Sequence, residues 1–480
     1  MLVISLVATG LFLVMLLGAI SLALLQQKLI IKKIARAQAL HIAEAGVNYY
    51  RWVLYHDNNE YCNKETCQGA PDYGPYGPYS YKDSSDQIEG YYELYITPPP
   101  VNGSTIVAIK SVGWVADSPD NKRIIEVQCG IPSWSTYSTL CNANIRFGEG
   151  TEVWGPIHSN GGVRFDGISH NIISSSLLNY NDPDHSGPNE FGVHTHAYAA
   201  GDYDANETCD EEDPPCDPAP LNYSDIFMVG RSFPESVVSF DLLDNYVTET
   251  LAKAEDNGMV LEDSGDEGYH ITLNTDDTID IRIVNSITPQ CKSGSNKYDT
   301  DGIVAETDHI ISAAAPNNGI VFVKDKVWID GQIDGNRITI LAFSEPLGGN
   351  KTDIIINNDL TYTNYDGTDA IGLIAQRNIG IGLFSEDNLQ IDAALIAKEG
   401  RVGRNYFPCK DSSNCSSVYC VRDTITVNGS LATRNRYGFA YTDGTGYQIR
   451  NLNYDNNLTF IPPPHFPTTG EYAFISWEEK

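Results

Sequence analysis

Cations are scarce in this 480-residue chain: 31 Lys and Arg stand against 63 Asp and Glu, a formal charge of −32. Most of the surface therefore repels phosphate backbones, which argues against nucleic acid as a partner. Methionine is nearly absent, at 4 residues, whereas Gly supplies 41, Pro 24 and Tyr 28. That mix favours strands and turns and excludes a helical bundle. The chain also lacks a G-x-S-x-G elbow, an H-E-x-x-H pair, a G-x-x-x-x-G-K loop and a dinucleotide fingerprint. No familiar catalytic motif is present, and the expectation is a protein that is not an enzyme.

What charge there is lies unevenly. Lys28, Lys32, Lys33, Arg36 and Arg51 face only Glu44 within residues 1–55, so the remainder carries −36. The length allows roughly three compact units. Ten cysteines occur without any C-x-x-C: Cys62 and Cys67, Cys129 and Cys141, Cys209 and Cys216, then Cys291, then Cys409, Cys415 and Cys420. An even count in local groups reads as disulfides and an oxidising compartment. Seven Asn-x-Ser/Thr sequons, at Asn102, Asn206, Asn222, Asn350, Asn414, Asn428 and Asn457, suit a glycosylated, surface-exposed chain.

From Leu2 to Leu25 the chain is uncharged and almost wholly apolar, long enough as a helix to cross a hydrocarbon layer of about 30 Å. No cleavable-signal pattern ends it. Ile31, Ile34, Ala35, Ile42, Ala45, Gly46, Tyr49, Trp52 and Val53 continue at three- and four-residue steps, so one helix reaches about residue 55, roughly 80 Å long. Ala35, Ala37, Ala39, Ala43, Ala45 and Gly46 remove bulk and predict close approach of neighbouring helices. The cations after the span would be cytoplasmic by the positive-inside rule, which disulfides contradict; both fit if a basic leader once preceded Met1.

The run Ala43-Glu44-Ala45-Gly46, followed by Tyr49-Tyr50 and Trp52 behind an apolar stalk, resembles type IV pilins, in particular large minor pilins of the PilX type. The resemblance implies a leader cut just before the apolar helix, insertion of the monomer in an inner membrane, and polymerisation through Met1, Leu2, Ser5, Leu6, Leu11, Phe12, Ala43, Glu44 and Gly46. Ser5 departs from the pattern, because major pilins place Glu at the fifth mature position. That departure resembles minor or tip subunits.

Residues 56–88, with Cys62, Cys67 and a Tyr-Gly-Pro run, read as a disulfide-pinned loop. Tyr91–Ile96, Ser104–Val115 and Lys122–Cys129 then read as antiparallel strands, separated by Pro98-Pro99-Pro100 and by the turn from Asp117 to Asn121. Beyond about Ile145, short apolar strands alternate with Gly and Asn turns, and a helical period returns only near Glu235–Lys253. Ile340-Leu341-Ala342, Leu373-Ile374-Ala375, Leu395-Ile396-Ala397 and Ser430-Leu431-Ala432 recur at intervals of 33, 22 and 35 residues. Such spacing fits the coils of a solenoid carrying variable loops, with a jelly-roll sandwich as the alternative. The expected fold class is mainly β with a long N-terminal α-helix: an assembly helix over 1–55, a pilin-like antiparallel head over 56–135, and a right-handed β-helix over 136–480 ending in a Pro-rich strap.

Three groups of residues could carry chemistry. His158, His170, His185, His194 and His196 lie within 39 residues, and His194-x-His196 puts two imidazoles on one strand face, with Asp182, Asp184 and Glu190 near enough in sequence to complete a metal shell. Asp299 and Asp301, with Asn296, give an oxygen-rich turn suited to a structural Ca²⁺, the one cofactor expected; the acidic block Asp202–Asp217 and Asp330 offer similar oxygens. Arg401, Arg404, Asp392 and Glu399 would have to converge in a groove if the β-helix were a membrane-anchored polysaccharide-active enzyme. The expected function is an extracellular filament subunit that assembles with its own kind or other pilins and displays its large domain for attachment to a surface glycan or host cell. A purely structural filament or surface-coat subunit is the alternative from another class.

Overall fold

An uninterrupted helix is what an apolar run free of Pro and continued in Ala, Leu and Lys should form. In the computed structural model, α1 (Leu2–His56) is that helix. The described residues are 2–70, 73–100, 103–184, 186–197, 208–209, 222–241, 243–308, 311–345, 352–410 and 416–480. They fall into two units: 1–100, 105–131 and 470–480 form one, and 101–104 with 132–469 the other.

The first unit is α1 with one antiparallel sheet. Every described position of α1 before Ala35 is exposed; from there Ala35, Ala39, Ile42, Ala43, Gly46, Val47, Tyr50, Val53 and Leu54 are buried, a stripe of helical period. The stripe packs on β1 (Tyr76–Lys82), β2 (Ile88–Thr97), β3 (Val107–Val115) and β4 (Ser118–Gly130), and the strand Ala473–Glu479 adds to the outer edge of β4. Alternation of buried Leu94, Ile96, Ile109, Ile125 and Val127 with outward residues supplies the sheet's half of the core. Two differences from the sequence reading are clear. The segment read as a loop is pinned by the Cys62–Cys67 disulfide but also contains β1, and Gly470–Lys480, assigned by sequence to the large domain, belongs to the first unit.

Close approach, rather than bulk, sets the helix on the sheet. A Cβ on Gly113 of β3 would lie 2.4 Å from the Ala43 nitrogen and 2.6 Å from the Ala39 oxygen, both backbone atoms of α1. A Gly113→Val substitution is therefore expected to destabilise the first unit by about 1–3 kcal/mol through overpacking. Denaturant unfolding followed by tryptophan fluorescence measures it, and an unchanged midpoint would contradict this packing.

The second unit is built on parallel strand ladders. One runs through Met259–Leu261, Ile320–Val323, Arg337–Ala342, Ala370–Ala375, Asn388–Ala397, Val421–Thr433, Thr139–Cys141, Ile157–Ser159 and Ile173–Ser175. A second runs through Gly268–Leu273, Val327–Ile333, Ile354–Tyr362, Ile379–Ile381 and Val402–Arg404. A third passes from Val421–Thr433 to Gly446–Tyr454, Thr151–Val153 and Ile168–Ser169. The apolar repeat is in register: Ile340 pairs with Leu373, Leu373 with Leu395, and Leu395 with Leu431. Only the last triplet slips by one, because Ala394 rather than Leu395 meets Ser430.

Residues alternate along these strands between two cores. Ile340, Leu373, Leu395, Val427 and their neighbours fill the space between ladders. Leu341, Ile374, Ile396 and Ala432 point outward and are covered by Phe240 and by Leu243, Val247 and Ala254 of α2 (Leu243–Asn257). The Pro-rich segment covers more of that face: Thr339 Oγ1 donates to the Pro464 carbonyl at 2.6 Å, and Arg337 Nη2 to that of Pro462 at 2.5 Å. Asn side chains join neighbouring strands, Asn160 donating to Asn142 Oδ1 at 2.7 Å and Asn453 to Asn428 Oδ1 at 2.7 Å.

His270 is one of the buried histidines that make the second unit pH-sensitive. His270 Nδ1 lies 2.8 Å from Glu306 Oε2 and Nε2 lies 3.0 Å from Asp330 Oδ2; Arg282 Nε stands 3.6 Å from the other Glu306 oxygen. Burial lowers the His270 pKa, but Asp330 and Glu306 more than reverse it, leaving it above 6.5. Burial raises Asp330, but His270, Asn357 and Thr272 outweigh it and leave it below 3.8. The imidazole's contribution is complete below its unfolded value and is lost as pH rises through the raised one; the carboxylate's is lost as pH falls through the lowered one. The thermal midpoint should therefore fall as pH is raised from about 6 through the raised imidazole value, and His270→Gln should reduce that slope. Equal slopes in calorimetry would contradict the assignment.

Candidate functional site

Two features stand out, one in each unit. In the first unit, the exposed half of α1 carries Leu2, Val3, Ile4, Leu6, Val7, Leu11, Phe12 and Leu13, each more than half exposed, and continues uncharged and almost wholly apolar to Leu25. A water-exposed surface of this size on a single helix needs another apolar phase, and the helix is long and apolar enough to cross a membrane. Ser5 does not interrupt it, because its hydroxyl donates to the Leu2 carbonyl at 2.9 Å. Met1 lies outside the described residues.

The structure reassigns part of the expected assembly set. Ala43 and Gly46 are buried against the sheet of their own chain, where a Cβ on Gly46 would meet Ser111 Oγ at 2.4 Å. Ala35, Ala39, Ala43 and Gly46 serve the helix–sheet contact and are covered before any second helix arrives, whereas Ala37 stays exposed and Ala45 half-buried. Glu44 stands at the border of the stripe and pairs with His41 Nδ1 at 3.0 Å.

In the second unit, a hairpin and the strand that follows it gather four ligand-type side chains. Asn179–Tyr180 pairs antiparallel with Glu190–Phe191, and Val193–His194 then lies parallel to Val163–Phe165. Asp182, Glu190, His194 and His196 thereby bring one ligand atom each to within 4.8 Å of all the others. Glu190 sits between the rings, Oε2 at 2.6 Å from His194 Nε2 and Oε1 at 2.6 Å from His196 Nε2; Asp182 Oδ2 is 3.6 Å from His194 Nε2. The His196 backbone N–H donates to Asp166 Oδ1 at 2.9 Å, and Arg164 Nη1 stands 3.4 Å from Asp182 Oδ2. Burial raises the Glu190 carboxyl, but the two imidazoles overcome it and hold it at about 2. Burial lowers His194, and Asp182 and Glu190 reverse that and raise it.

Sequence therefore located this cluster through His194-x-His196, with Asp182 and Glu190 as the completing carboxylates. Asp184 turns away to Arg436 Nη2 at 2.5 Å. His158 bonds Ser174 Oγ at 2.9 Å, His170 stacks on Trp154 with ring centres 3.5 Å apart, and His185 lies outside the described residues.

The other candidates resolve differently. Asp301 is not presented to a cation: Lys326 Nζ lies 2.5 Å from its Oδ1 and Asn405 donates to its Oδ2, while Asp299 accepts from Gln290. The expected oxygen-rich turn is an ion-paired one, because a lysine distant in sequence folds onto it. Most of Asp202–Asp217 lies outside the described residues. Arg404 and Asp392 are wholly buried, Arg404 on carbonyls and Asp392 on the Tyr362 N–H, Tyr365 and Asn428, so neither is open to a polymer chain.

Among the cysteines, Cys62–Cys67 and Cys409–Cys420 are disulfides, and Cys209 and Cys291 are also disulfide-bonded. Cys216 and Cys415 lie outside the described residues. Cys129 and Cys141 correct the reading: both are free thiols, one enclosed in the helix–sheet core and the other between the ladders. Burial raises each thiol to about 11, so neither is a ready nucleophile. Of the sequons, Asn428 is used internally, its Nδ2 donating to Asp392 Oδ1 at 2.7 Å, so it is not a free glycan acceptor. Asn222 is exposed and Asn457 half-buried; Asn102, Asn206, Asn350 and Asn414 lie outside the described residues.

No family model and no curated protein matches the chain. Among solved structures, one match is the crystal structure of the competence-associated pilin ComZ from Thermus thermophilus, at 11% identity over 93% of this chain and 98% of that one, with a TM-score of 0.30. At that score the likeness carries no argument, and function is read from the residues above.

Proposed function

We propose that the protein is a minor-type subunit of an extracellular type IV pilus-like filament, held in a membrane by α1 before assembly and carrying its second unit outward for surface attachment. One observation carries the reading: a single helix is exposed over Leu2–Ile34, uncharged and almost wholly apolar over Leu2–Leu25, and then buried along one stripe on an antiparallel sheet from Ala35 onward. A simple membrane anchor needs no such division, whereas a subunit extracted from lipid needs an apolar half to bury among its neighbours and a second half fixed to its head. Leaving lipid for a packed bundle substitutes neighbouring stalks for acyl chains, so the apolar surface stays out of water throughout.

The second unit is read as a β-helix. In-register parallel ladders, stacked Asn side chains and an inner core between ladders support that reading, and the antiparallel pairing of a jelly roll does not describe them. Its exposed aromatic residues Trp154, Tyr365 and Phe384 are offered as part of the attachment face. Fibres sheared from cells test the proposal: the chain should be recovered with them, and a chain found only in the membrane pellet, with no fibre containing it, would overturn it.

A further inference from the structure

We propose that Asp182, Glu190, His194 and His196 bind one zinc-class divalent cation, which staples the hairpin over residues 179–191 to the strand Val193–His194. The inference is independent of the filament reading, since it rests only on side chains within the second unit.

Three observations carry it. The donor atoms of all four residues already lie within 4.8 Å of one another, the spacing of a set around a common centre. His194 is completely buried, yet neither of its ring nitrogens has a hydrogen-bond partner, although Nε2 lies only 2.6 Å from Glu190 Oε2. Two donors around one tetrahedral Zn²⁺ stand roughly 3.3 Å apart, so an ion would part this close pair slightly and take the place between them. An imidazole nitrogen left that way in the interior is costly, and a cation bound at Nε2 removes the cost at that nitrogen. Finally, Asp182 and Glu190 supply two negative charges on side chains of residues only 4% and 2% exposed, answered here by Arg164 at 3.4 Å from Asp182 and by the two imidazoles, and a divalent ion supplies the same compensation with neutral rings.

The donor set selects the ion. Two imidazole nitrogens with two carboxylate oxygens suit Zn²⁺, which takes four N, O or S ligands, and not Ca²⁺, which takes six to eight oxygens. Two of the ligands are themselves held in place. Asp166 holds the His196 backbone through its N–H, and the second Asp182 oxygen accepts the Asp184 N–H at 3.0 Å. His196 faces a cavity of about 420 Å³, which gives the ion a route in.

The need for a staple is local. The strands concerned are two residues each; among the described residues Val193 reaches the large core, while the hairpin's own cluster holds Phe191 and Cys209 as buried members, with Leu178 and Phe233 against them. So small a core holds a hairpin poorly, and four ligands drawn from Asp182 to His196 close it.

The test uses the full chain in detergent, stripped with a chelator and titrated separately with Zn²⁺, Co²⁺ and Ca²⁺. About one equivalent of Zn²⁺ should be retained after desalting, Co²⁺ should give the intense visible absorption of four-coordinate N/O ligation, and Ca²⁺ should not compete. Glu190→Gln and His196→Gln should each weaken Zn²⁺ binding roughly tenfold or more, and the Co²⁺ band should fade in both. Far-UV circular dichroism identifies any variant that fails to fold, and the other variant then decides. No Zn²⁺ retained by the wild type overturns the proposal, as does an equivalent retained with an unchanged Co²⁺ spectrum in a folded variant; a cluster held by ion pairs alone gives the first result.

Discussion

A Leu13→Arg chain should vanish from sheared fibres while its two folded units remain intact. Leu13 lies midway along the uncharged run from Leu2 to Leu25 and is 56% exposed, so the substitution disturbs no contact within the chain. Its effect must come from the phase around the stalk. A guanidinium at the centre of a spanning helix costs about 2.5–3.5 kcal/mol against insertion, and it would again meet only apolar neighbours in a filament core. At about 1.4 kcal/mol per tenfold, recovery in the fibre fraction should drop on the order of a hundredfold. Gln27→Arg, at the end of the apolar run and beside Lys28, places the same charge where it can reach the interface and should leave recovery nearly unchanged. Equal recovery of the two variants would mean that the apolar half of α1 is not what holds the subunit in the fibre. Limited proteolysis of both proteins checks that the remainder is folded.

Local periodicity made the stalk and the ladders legible, and long-range closure hid the rest. The helix was readable because its burial stripe from Ala35 to Leu54 repeats every three or four residues. Stacked parallel strands demand similar residues at equivalent positions, which is why Ile340, Leu373 and Leu395 recur in sequence and then pair in space. Nothing local says that Val421–Thr433 is followed in the ladder by Thr139–Cys141, because that pairing joins segments nearly the length of the unit apart. β1 escaped notice because Gly77 and Pro78 interrupt its alternation. Parity misled at the cysteines: an even count stays even when two buried thiols, Cys129 and Cys141, are left unpaired. The metal-type cluster shows both cases, since His194-x-His196 announces itself within three residues while Asp301 was lost to Lys326, which no spacing rule connects to it.

Replacing Arg404 should be the most damaging single change in the second unit, although its position in the sequence suggests a surface turn. The strand Val402–Arg404 is wholly buried, and the guanidinium is 0% exposed. Nη1 donates to the Gly382 carbonyl at 3.0 Å and to Ser385 Oγ at 2.7 Å, while Nη2 donates to the carbonyls of Leu383 at 3.2 Å and Tyr419 at 3.0 Å. Phe407 lies under the cation, 4.9 Å from ring centre to guanidinium carbon. Burial, the largest influence, pulls its pKa down to about 10, so the group is still charged at neutral pH and is stabilised by carbonyl dipoles in place of water. One side chain thus ties the turn after Ile379–Ile381 to the loop closed by Cys409–Cys420. Arg404→Met keeps most of the volume but removes four charge-assisted hydrogen bonds, leaving the Tyr419 carbonyl without this donor while Gly382, Leu383 and Ser385 retain the Ser385 N–H, Arg422 and Tyr447, and the expected loss is about 3–5 kcal/mol. Arg404→Lys should recover little of it, because one ammonium cannot span acceptors on two segments. Arg401→Met removes contacts to the Arg404 carbonyl and Tyr441 at a half-buried position and should cost about 1 kcal/mol. Urea unfolding of the full chain in detergent ranks the three variants. If Arg404→Met and Arg401→Met unfold together, the buried guanidinium is not the clamp that joins these segments.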